Sequence, residues 1–290
     1  VVLQSFGIST PVKPKDFSMN SLLQIEDVHA AQSRCAEQLR NTPCVKTKPL
    51  SHQLGRPVYL KMDNLQHTGS FKERGALNRL LTLTDEEKKV GVIASSAGNH
   101  AQAVAYHATR LGITATIVMP TGTPLIKVSR TRDFGASVHL YGDDYDAAYE
   151  RALTLAKESG ATFVHPYDDP MVMAGQGTMA LEIIAQQPDI NTVIIPVGGG
   201  GLIGGMSCVL KNYNPNIRII GVEPEGLPSM ATSIAAGEVK RIPAAVTLAD
   251  GIAVREVGQR TFEMAKKHVD DYITVNDDEI ARAILYLLET

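Results

Sequence analysis

Lys72 stands in the run Thr68-Gly69-Ser70-Phe71-Lys72-Glu73-Arg74-Gly75-Ala76. Ser70 and Glu73 have the spacing of a capping box, which predicts a helix start and puts Lys72 in its first turn. A cation there opposes the helix dipole, at a cost of about 0.3–1 kcal/mol if exposed, and the same field favours the neutral, nucleophilic amine. Such an amine can form a Schiff base with an aldehyde. Gly75 inside the helix costs about 1 kcal/mol relative to alanine, which points to close approach by another group. A lone lysine is more often a solvated surface residue, so the surrounding segments must decide.

Two further segments carry chemistry. Gly198-Gly199-Gly200-Gly201-Leu202-Ile203-Gly204-Gly205 follows an apolar β-branched run, Thr192 to Val197, and opens a helical pattern from Leu202 to Tyr213. Backbone N–H groups in such a turn, backed by a helix N-terminus, make an anion site for which phosphate is the natural guest. Gly199, Gly201 and Gly204 also satisfy the dinucleotide spacing, with Glu223 about where a ribose-binding acid would stand, so an NAD-dependent oxidoreductase is a rival reading of this segment. The other segment, Ser95-Ser96-Ala97-Gly98-Asn99-His100, lies between a strand pattern and a helix predicted over Ala101–Leu111. Small polar residues at that junction suit a carboxylate. Asn99 offers an amide to a ring oxygen. His100 reads equally well as a plain first-turn histidine.

The elements that must position these residues alternate. Strands are predicted at Val58–Met62, Val90–Ser95, Ala115–Met119, Ser137–Tyr141, Thr162–His165, Thr192–Val197, Ile217–Val222 and Tyr272–Val275. Between them stand helix signals. Thr84 with Glu87 and Asn276 with Glu279 have capping-box spacing, Pro124 suits a first turn, and Gly112, Gly135 and Gly160 sit where helices should stop. This alternation implies an α/β fold with mostly parallel sheet covered by helices. Residues 1–20, with Pro11 and Pro14, read as an N-terminal extension.

Composition narrows the partners. Of the 290 residues, 28 are Lys or Arg and 31 Asp or Glu, a balance of −3 that gives no electrostatic case for nucleic acid or a membrane surface. No apolar run is long enough to span a bilayer, and residues 1–20 lack a signal-like stretch. Cys35, Cys44 and Cys208 form no Cys-x-x-Cys pair and read as reduced thiols of a cytoplasmic protein. Val1 at the start fits a tag remnant, a processed end or a cropped chain.

Taken together, Lys61 to Asn78, Ser95 to Gln102 and Gly198 to Leu202 resemble the threonine dehydratase family of fold-type-II pyridoxal-phosphate (PLP) enzymes, with serine dehydratases and serine racemases as close relatives. The resemblance runs from about Ile25 to Leu288. It includes His165-Pro166-Tyr167-Asp168-Asp169-Pro170, Gly175-Gln176-Gly177-Thr178, Gly221-Val222-Glu223-Pro224 and Leu248-Ala249-Asp250-Gly251. It implies two open, twisted, mostly parallel sheets flanked by helices. A large PLP-binding domain is expected over 21–88 and 163–290, and a small domain over 89–162. It implies that Lys72 carries PLP and, once freed, removes the Cα proton of a small amino-acid substrate. Phe71 would pack near the cofactor ring, Asn99 would bond its phenolic oxygen and Gly251 would line it. Gly198, Gly199, Gly200, Gly201 and the Leu202 amide would hold the phosphate. Ser96, Ala97, Asn99 and His100 would receive the substrate carboxylate. Threonine would give 2-oxobutanoate and serine pyruvate, with isoleucine biosynthesis among the metabolic settings and a homodimer or homotetramer as the assembly.

Three departures and one rival follow from the resemblance. In the racemase branch the acid matching Glu223 belongs to a divalent-metal site. Here the later acidic ligand falls on Ser229, so no metal is expected and Glu223 alone stays a candidate ligand. The family has later segments, one with a serine facing the pyridine nitrogen, that lie past Thr290, so this chain alone is expected to be poorly active. In racemases a serine precedes the Gly-Asn pair and serves the cofactor face opposite the lysine; here that position is Ala97, which favours elimination over racemisation. A noncatalytic ligand-sensing domain would keep the fold without needing Lys72.

Overall fold

A computed structural model describes residues 22–289. The N-terminal extension expected over 1–20 lies outside the described residues. The first helix, α1 (Ile25–Cys35), leads to an antiparallel pair, β1 (Cys44–Lys46) and β2 (Tyr59–Lys61), separated by α2 (Lys48–Leu54). The β1 strand and its antiparallel pairing depart from the expected parallel pattern. Then come α3 (Lys72–Leu81) and α4 (Asp85–Val90). A parallel sheet of order β5-β4-β3-β6 follows. It is built from β3 (Val92–Ser95), β4 (Ala115–Met119), β5 (Ser137–Leu140) and β6 (Thr162–Phe163), interleaved with α5 (Asn99–Arg110), α6 (Leu125–Asp133) and α7 (Tyr145–Ser159). Next, α8 (Pro170–Gln186) leads to a second parallel sheet of β7 (Thr192–Pro196), β8 (Arg218–Pro224) and β9 (Asp271–Val275). Packed on and between those strands are α9 (Gly201–Tyr213), α10 (Ser229–Ala236) and α11 (Gln259–His268), and α12 (Asp277–Glu289) follows. This is the α/β architecture of two parallel sheets with flanking helices.

Local chemistry explains most boundaries. Thr84 and Glu87 cap α4 reciprocally, and Asn276 and Glu279 exchange the same two bonds before α12. Asp169 accepts from the Met171 and Val172 amides ahead of Pro170, so α8 begins with three of its orphan donors answered or absent. Gly160 ends α7 in the left-handed region at φ 74°. The capping box expected from Ser70 and Glu73 does not form. Helix α3 begins at Lys72 without a side-chain cap, and the Ser70 hydroxyl is buried without a partner. The Glu73 carboxylate is taken instead by the Thr68 amide and by His67 and His107.

Helix α8 is the spine. It packs against α3 on one side and α9 on the other. Both contacts are glycine-mediated: a Cβ on Gly75 would come within 2.7 Å of the Val172 carbonyl oxygen, and one on Gly175 within 2.7 Å of the Gly75 Cα. A Cβ on Gly177 would lie 2.8 Å from the Gly205 oxygen. Beside this contact the Arg74 guanidinium is fully buried. It is forked onto Asp63 at 2.7 and 2.8 Å and onto Glu182 at 2.6 and 2.9 Å, with Thr178 at 3.1 Å. One core cluster lies under α8, α9, α11 and the β7–β9 sheet, and a second under α3, α5 and the β3–β6 sheet. No helix among the described residues is long and apolar enough to cross a membrane.

Alanine normally stabilises a helix interior relative to glycine by about 1 kcal/mol. At Gly175 and Gly205 overpacking against backbone should reverse the sign, and Gly175→Ala or Gly205→Ala should destabilise by about 2–3 kcal/mol. Denaturant unfolding checks this; unchanged or raised stability would contradict the close approach.

Candidate active site

The site is assembled from helix starts and strand ends. Lys72 is the first residue of α3, and its Nζ donates to the Pro166 carbonyl at 2.8 Å. Its ammonium lies 5.5 Å from the Phe71 ring centroid. Burial pulls the Lys72 amine down from the ordinary lysine range to about 8. The helix field expected to lower this pKa is not the main cause: desolvation is. Next to it, Glu73 is directed away from the amine. Burial pushes this carboxyl up, but the His107 and Thr68 contacts outweigh burial and hold it below the usual carboxylate range.

Parallel strands β3 and β6 are neighbours, and their C-terminal ends deliver the next two parts. Past β3, Ser96 Oγ accepts the Gly98 amide at 3.1 Å, and the turn runs through Ala97 into Asn99, the first residue of α5. The starting amides of α5 have no intrahelical acceptors, so the turn presents free N–H groups. His100 is buried, with Nε2 2.9 Å from the Val164 carbonyl. A carbonyl accepts only from a protonated ring nitrogen, so Nε2 carries the proton. Burial first, then the Lys72 and His165 charges, push His100 down to about 3. Its ring is therefore a neutral strut, while its backbone belongs to the turn.

Past β6, the segment 164–168 touches every other part. Val164 holds His100 and Pro166 holds Lys72. His165 Nδ1 accepts the Tyr167 and Asp168 amides at 3.2 and 2.8 Å. The Tyr167 ring lies where a side chain on Gly199 would project, and its hydroxyl donates to the Glu256 carbonyl at 3.0 Å. Asp168 accepts the Arg260 and Thr261 amides at the start of α11.

The glycine turn follows β7. Gly200 takes φ +92°, and a Cβ there would meet Met230 and Thr261. Among the described residues the amides of Gly198, Gly199, Gly200, Gly201 and Leu202 donate to no protein acceptor, while Thr261 Oγ1 fixes the turn from behind by donating to the Gly199 carbonyl at 2.7 Å. Gly251 and Ile252 connect the two sides: a Cβ on Gly251 would lie 3.9 Å from Asn99 Nδ2, and Ile252 lies against Gly198. Lys72, Phe71, the Ser96–His100 turn, the glycine turn and Gly251 thus share one neighbourhood. Glu223 does not join them. Its two oxygens accept the Met230 and Ala231 amides, each at 2.8 Å, so it caps α10. Each of its oxygens is thereby engaged by a backbone N–H of α10. Burial still raises its carboxyl to about 7 against those two bonds.

Residues 36–290 match the family model described as "Pyridoxal-phosphate dependent enzyme". The chain belongs to the pyridoxal-phosphate dependent enzymes. It is 50% identical over 268 residues to the L-threonine ammonia-lyase of Thermotoga maritima, an alignment covering 92% of this chain and 67% of that protein. The chain thus spans about two thirds of that relative's length; for the L-threonine ammonia-lyase of Geobacter sulfurreducens, 46% identical over 90% of this chain, the span is 65%. Among solved structures, the processed form of threonine deaminase isoform 2 from Solanum lycopersicum is 39% identical, with a TM-score of 0.86 over 97% of this chain and 84% of that one. Maize serine racemase is 35% identical, with a TM-score of 0.88 over 91% and 80%.

The residues present fit the family's cofactor. Five acceptor-free amides at the start of a 13-residue helix suit a phosphate, and a desolvated amine near neutrality suits an aldehyde. In sequence, His165-Pro166-Tyr167-Asp168 belongs to the resemblance without an assigned task. The signal that could have found it is four chemistry-bearing residues at the C-terminal end of a parallel strand, where ligands of open α/β sheets gather.

For a lysine near its ordinary value, 10.5, capture of an aldehyde would still be climbing well above pH 9. Here the amine loses its proton around 8, so PLP uptake by apo-protein should rise through pH 7–9, with its midpoint near 8, and then level off. Visible absorbance against pH measures it, with Lys72→Ala as the blank. A profile still climbing above pH 9 would contradict the desolvated amine.

Proposed function

We propose that this chain dehydrates and deaminates L-threonine to 2-oxobutanoate and ammonium, and L-serine to pyruvate and ammonium. The observation that carries the proposal is Lys72: an amine brought to about 8 by burial, bonded to a backbone carbonyl and beside a turn of free amides. Its 50% identity to a threonine ammonia-lyase supports the choice of substrate.

Bound PLP supplies an electron sink for the pair left on Cα. Lys72 would hold its aldehyde, and the amides of Gly198 to Leu202 its phosphate. Phe71 and Gly251 would flank the ring, and Asn99 would donate to its phenolic oxygen. In the turn over Ser96 to His100, the acceptor-free amides of Ala97, Asn99 and His100 would orient the substrate carboxylate. Lys72 Nζ would take the Cα proton of the bound substrate; with a pKa near 8 it is partly neutral at physiological pH and able to act as a base. His100 and His165, both pushed to about 3, stay neutral and leave Lys72 as the group that titrates.

Ala97 separates this reading from racemisation, to which the likeness to maize serine racemase would otherwise point. A methyl group at that position gives no proton to the cofactor face opposite Lys72. Assembly as a homodimer or homotetramer, a cytoplasmic location and a place ahead of isoleucine biosynthesis belong to the same proposal and rest on the resemblance.

Lys72→Ala should abolish 2-oxobutanoate formation while the protein keeps its far-ultraviolet spectrum; wild-type turnover in that variant would remove Lys72 from the chemistry. A chiral assay of L-serine incubations provides an independent check. Pyruvate should far exceed D-serine, and Ala97→Ser should raise the D-serine share. D-serine forming as fast as pyruvate in the wild type would overturn the elimination reading.

A further inference from the structure

We propose that His165 determines specificity: its Nε2–H donates to the β-hydroxyl of the substrate. The inference rests on the proposed reaction and adds a residue to it. His165 Nδ1 accepts two backbone amides, from Tyr167 at 3.2 Å and Asp168 at 2.8 Å, which only an unprotonated nitrogen can do. The single ring proton is therefore on Nε2, fixed there by the backbone. Burial, with the Lys72 and Arg260 charges, pushes the ring down to about 3, so it takes no second proton. Edge-on contacts with Tyr149, Phe163 and Tyr167 hold the ring in place.

The Nε2–H has no protein acceptor among the described residues. His165 is half-buried, so this N–H is open to a water or a ligand. The donor stands two residues past β6, next to the turn that leads from β3 to Asn99, and the carbonyl of the following residue, Pro166, holds Lys72. In a β-hydroxy amino acid the amine goes to the cofactor aldehyde, the carboxylate is served by the turn before α5 and the Cα proton by Lys72. The β-hydroxyl is the polar group left unmatched, and the His165 imidazole N–H, next to the carbonyl that holds Lys72, is a neutral side-chain donor with no protein acceptor among the described residues. As a neutral donor, His165 orients that oxygen and does not protonate it.

The test compares the wild-type holoenzyme with His165→Asn and His165→Gln, using L-threonine and L-2-aminobutyrate, which has the same carbon skeleton without the hydroxyl. An Asn amide oxygen can replace Nδ1 as acceptor for the Tyr167 and Asp168 amides while deleting the Nε2 donor; Gln does the reverse. His165→Asn should keep the wild-type melting temperature and L-2-aminobutyrate affinity but lose about tenfold in kcat/KM for L-threonine, the size of one neutral hydrogen bond. His165→Gln should recover part of the threonine preference. Equal losses for both ligands would give His165 to the carboxylate or cofactor and overturn the proposal, as would no loss, or failure of both variants to hold cofactor. A wild type that binds both amino acids but forms no 2-oxobutanoate would sink the proposed reaction instead, and the ratio of the two affinities would still report on His165.

Discussion

The separation of α3 from α9 across α8 is the constraint on which the rest of the site depends. Helices normally pack 8–10 Å apart because side chains stand between them. Here Gly75 meets Gly175 and Gly177 meets Gly205, so backbones touch on both sides of α8. The start of α3 carries the reactive amine and the start of α9 the anion-binding amides. Their spacing is therefore fixed by backbone contact, which has no rotamers to relax. Arg74 reinforces the same junction from within. Its two carboxylate forks reach Asp63 before α3 and Glu182 on α8, and losing one partner from such a buried network typically costs about 3–5 kcal/mol. Four consecutive residues thus face four ways: Lys72 to the site, Glu73 to His107, Arg74 to the ion network and Gly75 to the spine.

The electrostatic character of the site follows from where its charges are sent. A carboxylate beside Lys72 would raise its pKa and keep it protonated. Glu73 is turned to the Thr68 amide and His107, and Asp168 is occupied by two amides of α11. The histidines are kept neutral chiefly by burial, while the Val164 carbonyl fixes the tautomer of His100 and the Tyr167 and Asp168 amides that of His165. Backbone groups thus do what side-chain charges would do less selectively. They fix tautomers and consume carboxylate lone pairs without adding a charge that competes with substrate or cofactor.

How much of this was legible in the sequence depended on the range of the interaction. Caps at Thr84 and Asn276, stops such as Gly160, and the β–α alternation depend on neighbours within a few residues, and they form as the pattern implies. The Ser70–Glu73 box has the same local spacing and fails, because His107, 34 positions further on, and the Thr68 amide offer that carboxylate a better buried site. Strand β1 was missed since its three residues become a strand only by pairing with β2 across α2. Lys72, Asn99 and the glycine turn were readable as chemistry, each being a local strand-to-helix or loop-to-helix signature. The 164–168 segment was not, because its work consists of contacts to four other elements.

The glycine turn shows why motif and surroundings must be read together. A run of free amides between a strand and a helix is a phosphate cradle whether the guest is a dinucleotide or a smaller cofactor. The dinucleotide reading also requires an acid at the end of the next strand with oxygens free for a ribose. Glu223 occupies that place, but both of its oxygens are spent on the two amides that open α10. The same acid that made the rival plausible in sequence is engaged in space by the backbone of α10. What lies across from the glycines is instead the Tyr167 ring and, one residue before it, the carbonyl that holds the Lys72 amine. An anion site and a neutralisable amine joined by one short segment suit a phosphorylated aldehyde. Neither part alone would have distinguished it from a nucleotide.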